Sequence, residues 1–168
     1  MKNEKHEYVE KLTELLKDVK IAMLITNAQS AGHLSGRPMG INKIDDDGTM
    51  WFFSKQSSLK VDELTENNQV SLAIQNDSDG LYLMINGTAE LSFDKAKMKE
   101  LWNPIMKAWF PDGLADPDMA LIKVTPTEAN YWDGSANALV VVFSMLKAVA
   151  TGKEYNEGEH GTITLQKK

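Results

Sequence analysis

The chain has 168 residues, a length that fits one domain. It contains no cysteine, which excludes disulfides, zinc–thiolate sites, iron–sulfur clusters and cysteine nucleophiles, and which fits a reducing compartment. The formal net charge of −6, without a basic run longer than Lys167–Lys168, argues against a nucleic-acid partner. No apolar run approaches the roughly 20 residues of a membrane helix, and the charged N-terminus is unlike a signal peptide. We therefore expect a cytoplasmic protein with no membrane partner.

The first half of the chain alternates between helical and extended patterns. Taken in order, these patterns predict a helix over 4–19, a buried strand over 20–26, a loop over 27–36, a strand over 37–44, an Asp-Gly turn over 45–48, a strand over 49–54 and a helix over 57–67. In the last of these elements, Leu59 and Leu64 are expected to face inward. Gly48 is expected to supply the positive φ of the turn.

The second half is richer in strands. The patterns predict a strand over 69–75, a turn over 76–80, a strand over 81–92, a helix capped by Asp94, and strands over 119–125 and 139–143. Gly87 is expected to form a bulge, and Pro104 to break the helix. Met98, Leu101, Trp102, Ile105 and Trp109 are expected to share the inner face of that helix. Six or seven short strands joined mostly by hairpins predict an antiparallel sheet that closes on itself.

One group of residues suits a ligand that carries a phosphate. Arg37 offers a fork of donors, Lys60 a point charge, and Ser57 or Ser58 lies where a helix N-cap belongs. Pro38 marks an edge or a bulge in its strand, where a ladder can face a ligand. The structural alternatives are an exposed edge arginine, a simple serine cap and a solvated lysine.

The other residue types favour structural roles. The aromatic side chains are more often core or interface residues than cofactor contacts. The three histidines lack metal-ligand spacing, so we expect no metal site. No dinucleotide fingerprint, phosphate-binding P-loop or nucleophile elbow is present. The sequence therefore identifies no catalytic side chain.

Several segments, in order, carry a resemblance to a known family. They are Ala22–Thr26, Arg37–Met39, Asp47–Ser54, Ser58–Leu64, Asn86–Glu90, Leu101–Trp102, Trp109–Gly113 and Ala129–Trp132. Together they resemble the FMN-binding split-barrel family related to pyridoxamine 5'-phosphate oxidase, and within it the bacterial general stress proteins. The resemblance covers about residues 8–143 and leaves 147–168 as a C-terminal tail of a single domain over 1–168.

The resemblance implies a mainly β fold with flanking helices: a six-stranded antiparallel split β-barrel of Greek-key type. It also implies a homodimer with FMN at the subunit interface. The implied cofactor-binding residues are Arg37, Pro38, Met39, Gly40, Phe53, Ser54, Ser58, Lys60 and Trp132, the last reaching the flavin from the partner chain. Trp109 and Phe110 are implied as a roof over the substrate pocket. Independently, the Val140–Phe143 run indicates burial on both faces, which a second chain would provide.

The sequence also departs from pyridoxamine phosphate oxidase. No Arg or His lies between Trp132 and Lys147, where that enzyme grips its substrate, so pyridoxal phosphate synthesis is not expected. Four functions stay open: an FMN-dependent oxidoreductase of the stress response, with NADH or NADPH as electron donor; a non-catalytic flavin-binding or sensing protein; a split barrel that uses deazaflavin F420, or haem with His33 as ligand; and a dimeric barrel without a ligand.

Overall fold

A computed structural model of the chain describes residues 2–28, 30, 32–76, 80–134 and 159–164. The helices are α1 (Lys2–Leu16), α2 (Leu59–Glu66) and α3 (Lys95–Leu101), with 3₁₀ turns at Pro104–Ala108 and Gly113–Ala115. The strands are β1 (Ile21–Thr26), β2 (Ser35–Gly40), β3 (Lys43–Ile44), β4 (Met50–Lys55), β5 (Gln69–Asn76), β6 (Leu81–Ser92), β7 (Met119–Asp133) and β8 (Glu159–Thr164). The strand expected over 139–143 lies outside the described residues.

The strands form one antiparallel sheet that curls into a half-barrel. Its order is β2-β1-β5-β6-β7-β4-β3, and β8 also pairs with β7. Two strands pair with the same edge of β7: β4 pairs with its first half and β8 with its second half. The expected mainly β, antiparallel fold is confirmed. The described sheet has eight strands rather than six, because it includes the two-residue β3 and the tail strand β8.

The strand β7 is longer than predicted. It continues past Thr125 to Asp133, so that Tyr131 and Trp132 belong to it. The long strand contains a bulge. Gly87 lies opposite Pro126, whereas Asn86 lies opposite Glu128, and β7 therefore has one extra residue at this point. A Cβ atom at Gly87 would lie 2.4 Å from the carbonyl oxygen of Thr125. The expected bulge at Gly87 is thus present, and the close backbone approach requires glycine there.

The buried residues form two apolar clusters, one on each side of β4. Phe52 belongs to the larger cluster, with Leu12 and Leu16 of α1 and residues of β1, β5 and β6. Phe53 belongs to the smaller cluster, with Met98 of α3 and Phe110. Residues 50–54 are accordingly all buried. Burial on both faces explains why this segment is continuously apolar instead of alternating.

The helices depart from prediction at two places. Leu59 was expected to face inward, but it is 70% exposed, because α2 begins at this residue and packs Val61, Glu63 and Leu64 against the sheet. Pro104 breaks the third helix as expected. The 3₁₀ turn that follows changes the helical phase, so that Ile105 and Trp109 are exposed instead of sharing the inner face of α3.

Two local predictions agree with the structure. Asp94 caps α3, because its carboxylate accepts hydrogen bonds from the backbone N–H groups of Ala96 and Lys97. Gly48 has a φ of +85° in the turn that leads into β4. Among the described helices, none is long and apolar enough to cross a membrane.

Candidate functional site

A cavity of about 450 Å³ opens between β2, the end of β4, the start of α2 and the 3₁₀ turn at Pro104–Ala108. Its volume lies within the range typical of cofactor sites, roughly 300–1,000 Å³. The residues that line it are Arg37, Pro38, Met39, Gly40, Asn42, Phe53, Ser54, Lys55, Ser58, Lys60, Met106, Trp109 and Phe110. Apart from Trp132, every residue implied by the family resemblance lies in this cavity.

The first wall is the edge strand β2. This strand ends the described sheet order, and Pro38, which lacks an N–H group, therefore lies on a strand with one unpaired side. Arg37 lies opposite Leu24 and Met39 opposite Ala22 in the β1–β2 register. Both partners are buried, so Arg37 and Met39 point to the core side of the sheet.

The second wall is the connection from β4 to α2. Ser58 occupies the N-cap position of α2, but its hydroxyl makes no capping hydrogen bond. It donates instead to the carbonyl oxygen of Lys55, at 2.6 Å, and lies 3.3 Å from the hydroxyl of Ser54. The first backbone N–H groups of α2 therefore have no side-chain cap. An anion at this end of the cavity would find two hydroxyl groups and uncapped amides.

Arg37 belongs to a closed hydrogen-bond network with two other residues. Its guanidinium donates to the hydroxyl of Thr26 at 2.6 Å and to the carboxylate of Glu63 at 2.5 Å. The hydroxyl of Thr26 in turn donates to the same Glu63 oxygen at 2.6 Å. These bonds use one N–H of each terminal guanidinium nitrogen, which leaves three of the five N–H groups for another acceptor.

Glu63 favours its ionised form although it is only 5% exposed. Burial opposes its charged form, but the hydrogen bonds from Thr26 and Arg37 outweigh burial and hold the pKa of this carboxyl below its usual range. The network therefore contains a full ion pair behind the cavity wall. Since Thr26, Arg37 and Glu63 belong to β1, β2 and α2, it also joins these three elements.

Lys60, unlike Arg37, has no ion-pair partner among the described residues. Burial lowers the pKa of its ammonium, the nearby Arg37 guanidinium lowers it further, and Glu63 only partly opposes them. Within the described part of the chain, Lys60 forms no salt bridge. None of the described residues that line the cavity is acidic. This end of the cavity thus has the charge and the donors to bind an anion.

The opposite wall is apolar and aromatic. Phe110 is buried and packs against Phe53, with ring centroids 6.0 Å apart, and Phe53 also makes an edge contact with Trp102. Trp109 lines the cavity but is 57% exposed. Asn42 adds one polar group, since its side-chain oxygen accepts the backbone N–H of Phe53 at 3.1 Å. A ligand with an anionic end and a flat, mostly apolar body matches these walls.

Trp132 lies elsewhere on the molecule. It is opposite Tyr82 in β6 and His160 in β8, on the outer face of the sheet, and it is 47% exposed. With Met23, Ala73 and other residues it lines a separate cleft of about 430 Å³. Within one chain, therefore, Trp132 is not brought to the cavity that holds the other implied residues.

Sequence reasoning missed four residues of the site. Asn42, Lys55 and Met106 line the cavity, and Glu63 supports Arg37 from behind. Lys55 and Met106 are each within a few residues of predicted site positions, so proximity in sequence could have indicated them. Glu63 lies three residues after Lys60, a spacing that places both on one helix face. That pattern is typical of a solvated ion pair, and so it gave no sign of a buried acid.

The chain was compared with families and proteins of known sequence or structure. Residues 7–156 match the family model described as "Pyridoxamine 5'-phosphate oxidase like". Protein bli-3 of Neurospora crassa is 26% identical over 151 residues, which cover 84% of this chain and 72% of that protein.

Two solved structures show the same fold. A protein described as a general stress protein 26 from Jannaschia sp. CCS1 superimposes with a TM-score of 0.73 and 27% identity, over 98% of this chain and 99% of that one. A general stress FMN/FAD binding protein from Xanthomonas citri has a TM-score of 0.65 and 26% identity, over 82% and 93% of the two chains. The expected likeness to the general stress proteins is thereby confirmed.

Proposed function

Because the chain belongs to the pyridoxamine 5'-phosphate oxidase-like family, we propose that it is an FMN-binding flavoprotein and acts as an oxidoreductase. The observation that carries this proposal is the division of one cavity into a cationic, hydroxyl-rich end and an aromatic end. The structural relative that is described as binding FMN/FAD supports a flavin. FMN has a terminal phosphate and a flat ring system, which match the two ends of the cavity.

The phosphate end uses four side chains of this chain. Arg37 and Lys60 offer charge-assisted donors. The hydroxyls of Ser54 and Ser58 both donate to the carbonyl oxygen of Lys55 here and would rotate to donate to the phosphate instead. The lowered pKa of Lys60 supports this assignment, because a phosphate would supply the counter-charge that this ammonium lacks. In the proposed complex, binding removes the repulsion between Lys60 and Arg37.

The ring end uses backbone groups and one amide. The unpaired side of β2 at Pro38 and Gly40 can meet the polar edge of the isoalloxazine, while Met39 lies between them with its backbone groups turned to β1. Phe53 has no free backbone donor for the ring, since its N–H is already donated to the side-chain oxygen of Asn42. Asn42 retains two amide N–H donors, and no acceptor for them is found among the described residues. We therefore assign Asn42 as a ring contact and Phe53 as apolar support.

The bound flavin would supply two-electron redox chemistry, and the chain would supply orientation and electrostatics. Phe53 and Phe110, which pack together in one buried cluster, would exclude water from one side of the ring. Trp109, at the exposed mouth of the cavity, would form the contact surface for the substrate, with the buried Phe110 behind it. Among the described residues, no charged side chain lines the cavity at this end. The surface therefore suits an uncharged, planar substrate. NADH or NADPH is the proposed electron donor.

The proposal includes a homodimer. The outer face of the sheet exposes Ile21, Met23, Tyr82 and Trp132, which is an unusual concentration of large apolar side chains for a surface in contact with water. Covering this face with a second copy would bury it. It would also allow Trp132 to reach the flavin of the partner, which its position within one chain does not permit. A role in the cytoplasmic stress response completes the proposal.

The first experiment is the visible absorption spectrum of the purified protein, repeated on the supernatant after heat denaturation. We expect yellow protein that releases FMN, identified by its chromatographic mobility. The second step adds NADH or NADPH anaerobically and follows the loss of the oxidised-flavin band. Bleaching on the timescale of turnover supports an oxidoreductase.

Two outcomes would contradict parts of the proposal. Bound FMN that neither nicotinamide reduces would indicate a flavin-binding or sensing protein. A colourless protein that takes up no added FMN would overturn the assignment of the cavity, and F420 and haem would then be tested. The Lys17→Met variant is the matched control for later substitutions of cationic residues, because it removes an exposed positive charge that lines a different cleft, at the end of α1.

A further inference from the structure

Glu63 occupies an unusual position for an acidic residue. It is the third residue after Lys60 in α2, and it is buried between that helix and the strands β1 and β2. One of its oxygen atoms accepts from both the hydroxyl of Thr26 and the guanidinium of Arg37. It does not line the cavity, although the two cations on either side of it do.

The placement of two cations in one wall needs an explanation. Arg37 and Lys60 come from different elements, and each is partly buried, so that their repulsion is less screened than at the surface. A buried carboxylate beside both of them offsets this repulsion. The carboxylate also helps to fix the guanidinium. Glu63 accepts a hydrogen bond from one terminal nitrogen of Arg37, and Thr26 accepts one from the other.

We propose that Glu63 is a positioning residue for the anion-binding end of the cavity. Its carboxylate holds the Arg37 fork in place and sets a negative charge beside Lys60, three residues earlier on the same helix, so that both cations are in position before the phosphate arrives. The identity of the anion as the FMN phosphate rests on the proposed function. The hydrogen bonds that join Glu63, Thr26 and Arg37 are independent of it.

The competing explanation is purely structural. Glu63 could serve only to join α2 to the sheet, in which case its loss would lower stability and nothing else. The two explanations differ in the behaviour of Lys60. Arg37 on β2 and Glu63 on α2 are the charged groups that act on this ammonium, and they act in opposite directions. A purely structural role leaves the anion affinity of the folded protein unchanged, whereas a positioning role makes that affinity, together with the protonation of Lys60, depend on Glu63.

The test uses Glu63→Gln, which keeps a hydrogen-bond acceptor and removes the charge, and Asp62→Asn as a matched control. Asp62 is exposed and adjacent on the same helix, so the control makes the same change of charge. NMR of the Lys60 side chain in the flavin-free protein gives its pKa directly. We expect this pKa to fall in Glu63→Gln, because the charge that opposes burial and Arg37 is lost, and to be unchanged in Asp62→Asn.

FMN titration from neutral to alkaline pH provides the functional measurement. In Glu63→Gln, the alkaline loss of affinity should begin at a pH lower by about the same shift, with affinity at pH 7 within about threefold of wild type. Glu63→Ala, which also removes the tether of Arg37, should weaken binding roughly tenfold or more at pH 7.

The outcomes separate this inference from the proposed function. An unchanged Lys60 pKa in Glu63→Gln would overturn the positioning role, whatever the protein binds. If no variant and no wild-type protein binds FMN, the proposed function fails, while the NMR comparison still decides the role of Glu63. If Glu63→Ala fails to fold, Glu63→Gln alone carries the test.

Discussion

Lys60→Met separates ligand binding from stability, because the two should change in opposite directions. The substitution keeps an unbranched side chain of similar length and removes an ammonium that is poorly solvated and repelled by Arg37. A hydrogen bond to a charged group contributes roughly 1.5–3 kcal/mol. Since 1.4 kcal/mol corresponds to a factor of ten, we expect the Kd for FMN to rise roughly 10- to 150-fold.

The flavin-free protein should become more stable in the same variant. The folded-state pKa of Lys60 lies below that of the unfolded chain. Between these two pKa values the unfolded chain binds more protons, so the wild-type free energy of unfolding gains a contribution that rises with pH. Below both values, the charged Lys60 destabilises the fold. Lys60→Met lacks this group, and its stabilising effect should therefore be largest near neutral pH and shrink towards pH 10.

Flavin-fluorescence titration measures the first effect, and urea denaturation of the flavin-free protein between pH 7 and pH 10 measures the second. Lys17→Met serves as the control for the loss of one positive charge. The reasoning is refuted if Lys60→Met binds FMN as tightly as that control. It is also refuted if the variant loses stability at pH 7, because the ammonium would then be favourably placed in the flavin-free protein.

Four further predictions concern single residues. Arg37→Ala should lose FMN during purification, and Arg37→Lys should recover only part of the flavin absorbance per protein, because lysine lacks the planar fork. Trp132→Ala should shift the light-scattering mass towards the monomer, with flavin lost in parallel. Trp109→Ala should raise the KM for an uncharged, planar substrate, tested with an apolar quinone, more than the KM for NADH. The reason is that Trp109 forms the proposed contact surface for such a substrate. Gly87→Ala should lower the free energy of unfolding by about 1–3 kcal/mol, because the new Cβ would overlap the carbonyl oxygen of Thr125. In thermal denaturation, each kcal/mol should lower the Tm by roughly 2–4 °C.

The cationic end of the site could be predicted because its signals are local. Ser54, Ser58 and Lys60 lie within one connection from strand to helix, and Arg37 stands beside a proline that marks an edge strand. The chemistry of each residue type restricts where it can lie. Proline lacks an N–H, arginine carries a fork of donors, and serine is favoured at a helix start. The structure then needed only to bring two such segments together, as antiparallel sheets of this order do.

The parts that could not be predicted depend on residues distant in sequence. The burial of Glu63 is decided by Thr26 and Arg37, which precede it by 37 and 26 residues. Nothing in the local pattern of α2 distinguishes it from the exposed Asp62. Trp109 was misplaced for a related reason, since a change from α-helix to 3₁₀ turn after Pro104 alters the direction of every later side chain.

The charge of the whole chain and the charge of the cavity have opposite signs, and this contrast affects how an anion would bind. The chain carries a net −6, whereas the described residues that line the cavity include Arg37, Lys55 and Lys60 and no acid. At physiological ionic strength the screening length is about 8 Å, so the overall negative charge gives an approaching phosphate little guidance or resistance. The cations act only at close range. The affinity for a phosphate ligand should therefore depend on the lifetime of the complex rather than on fast association, and substitutions at Arg37 or Lys60 should act mainly on the dissociation rate.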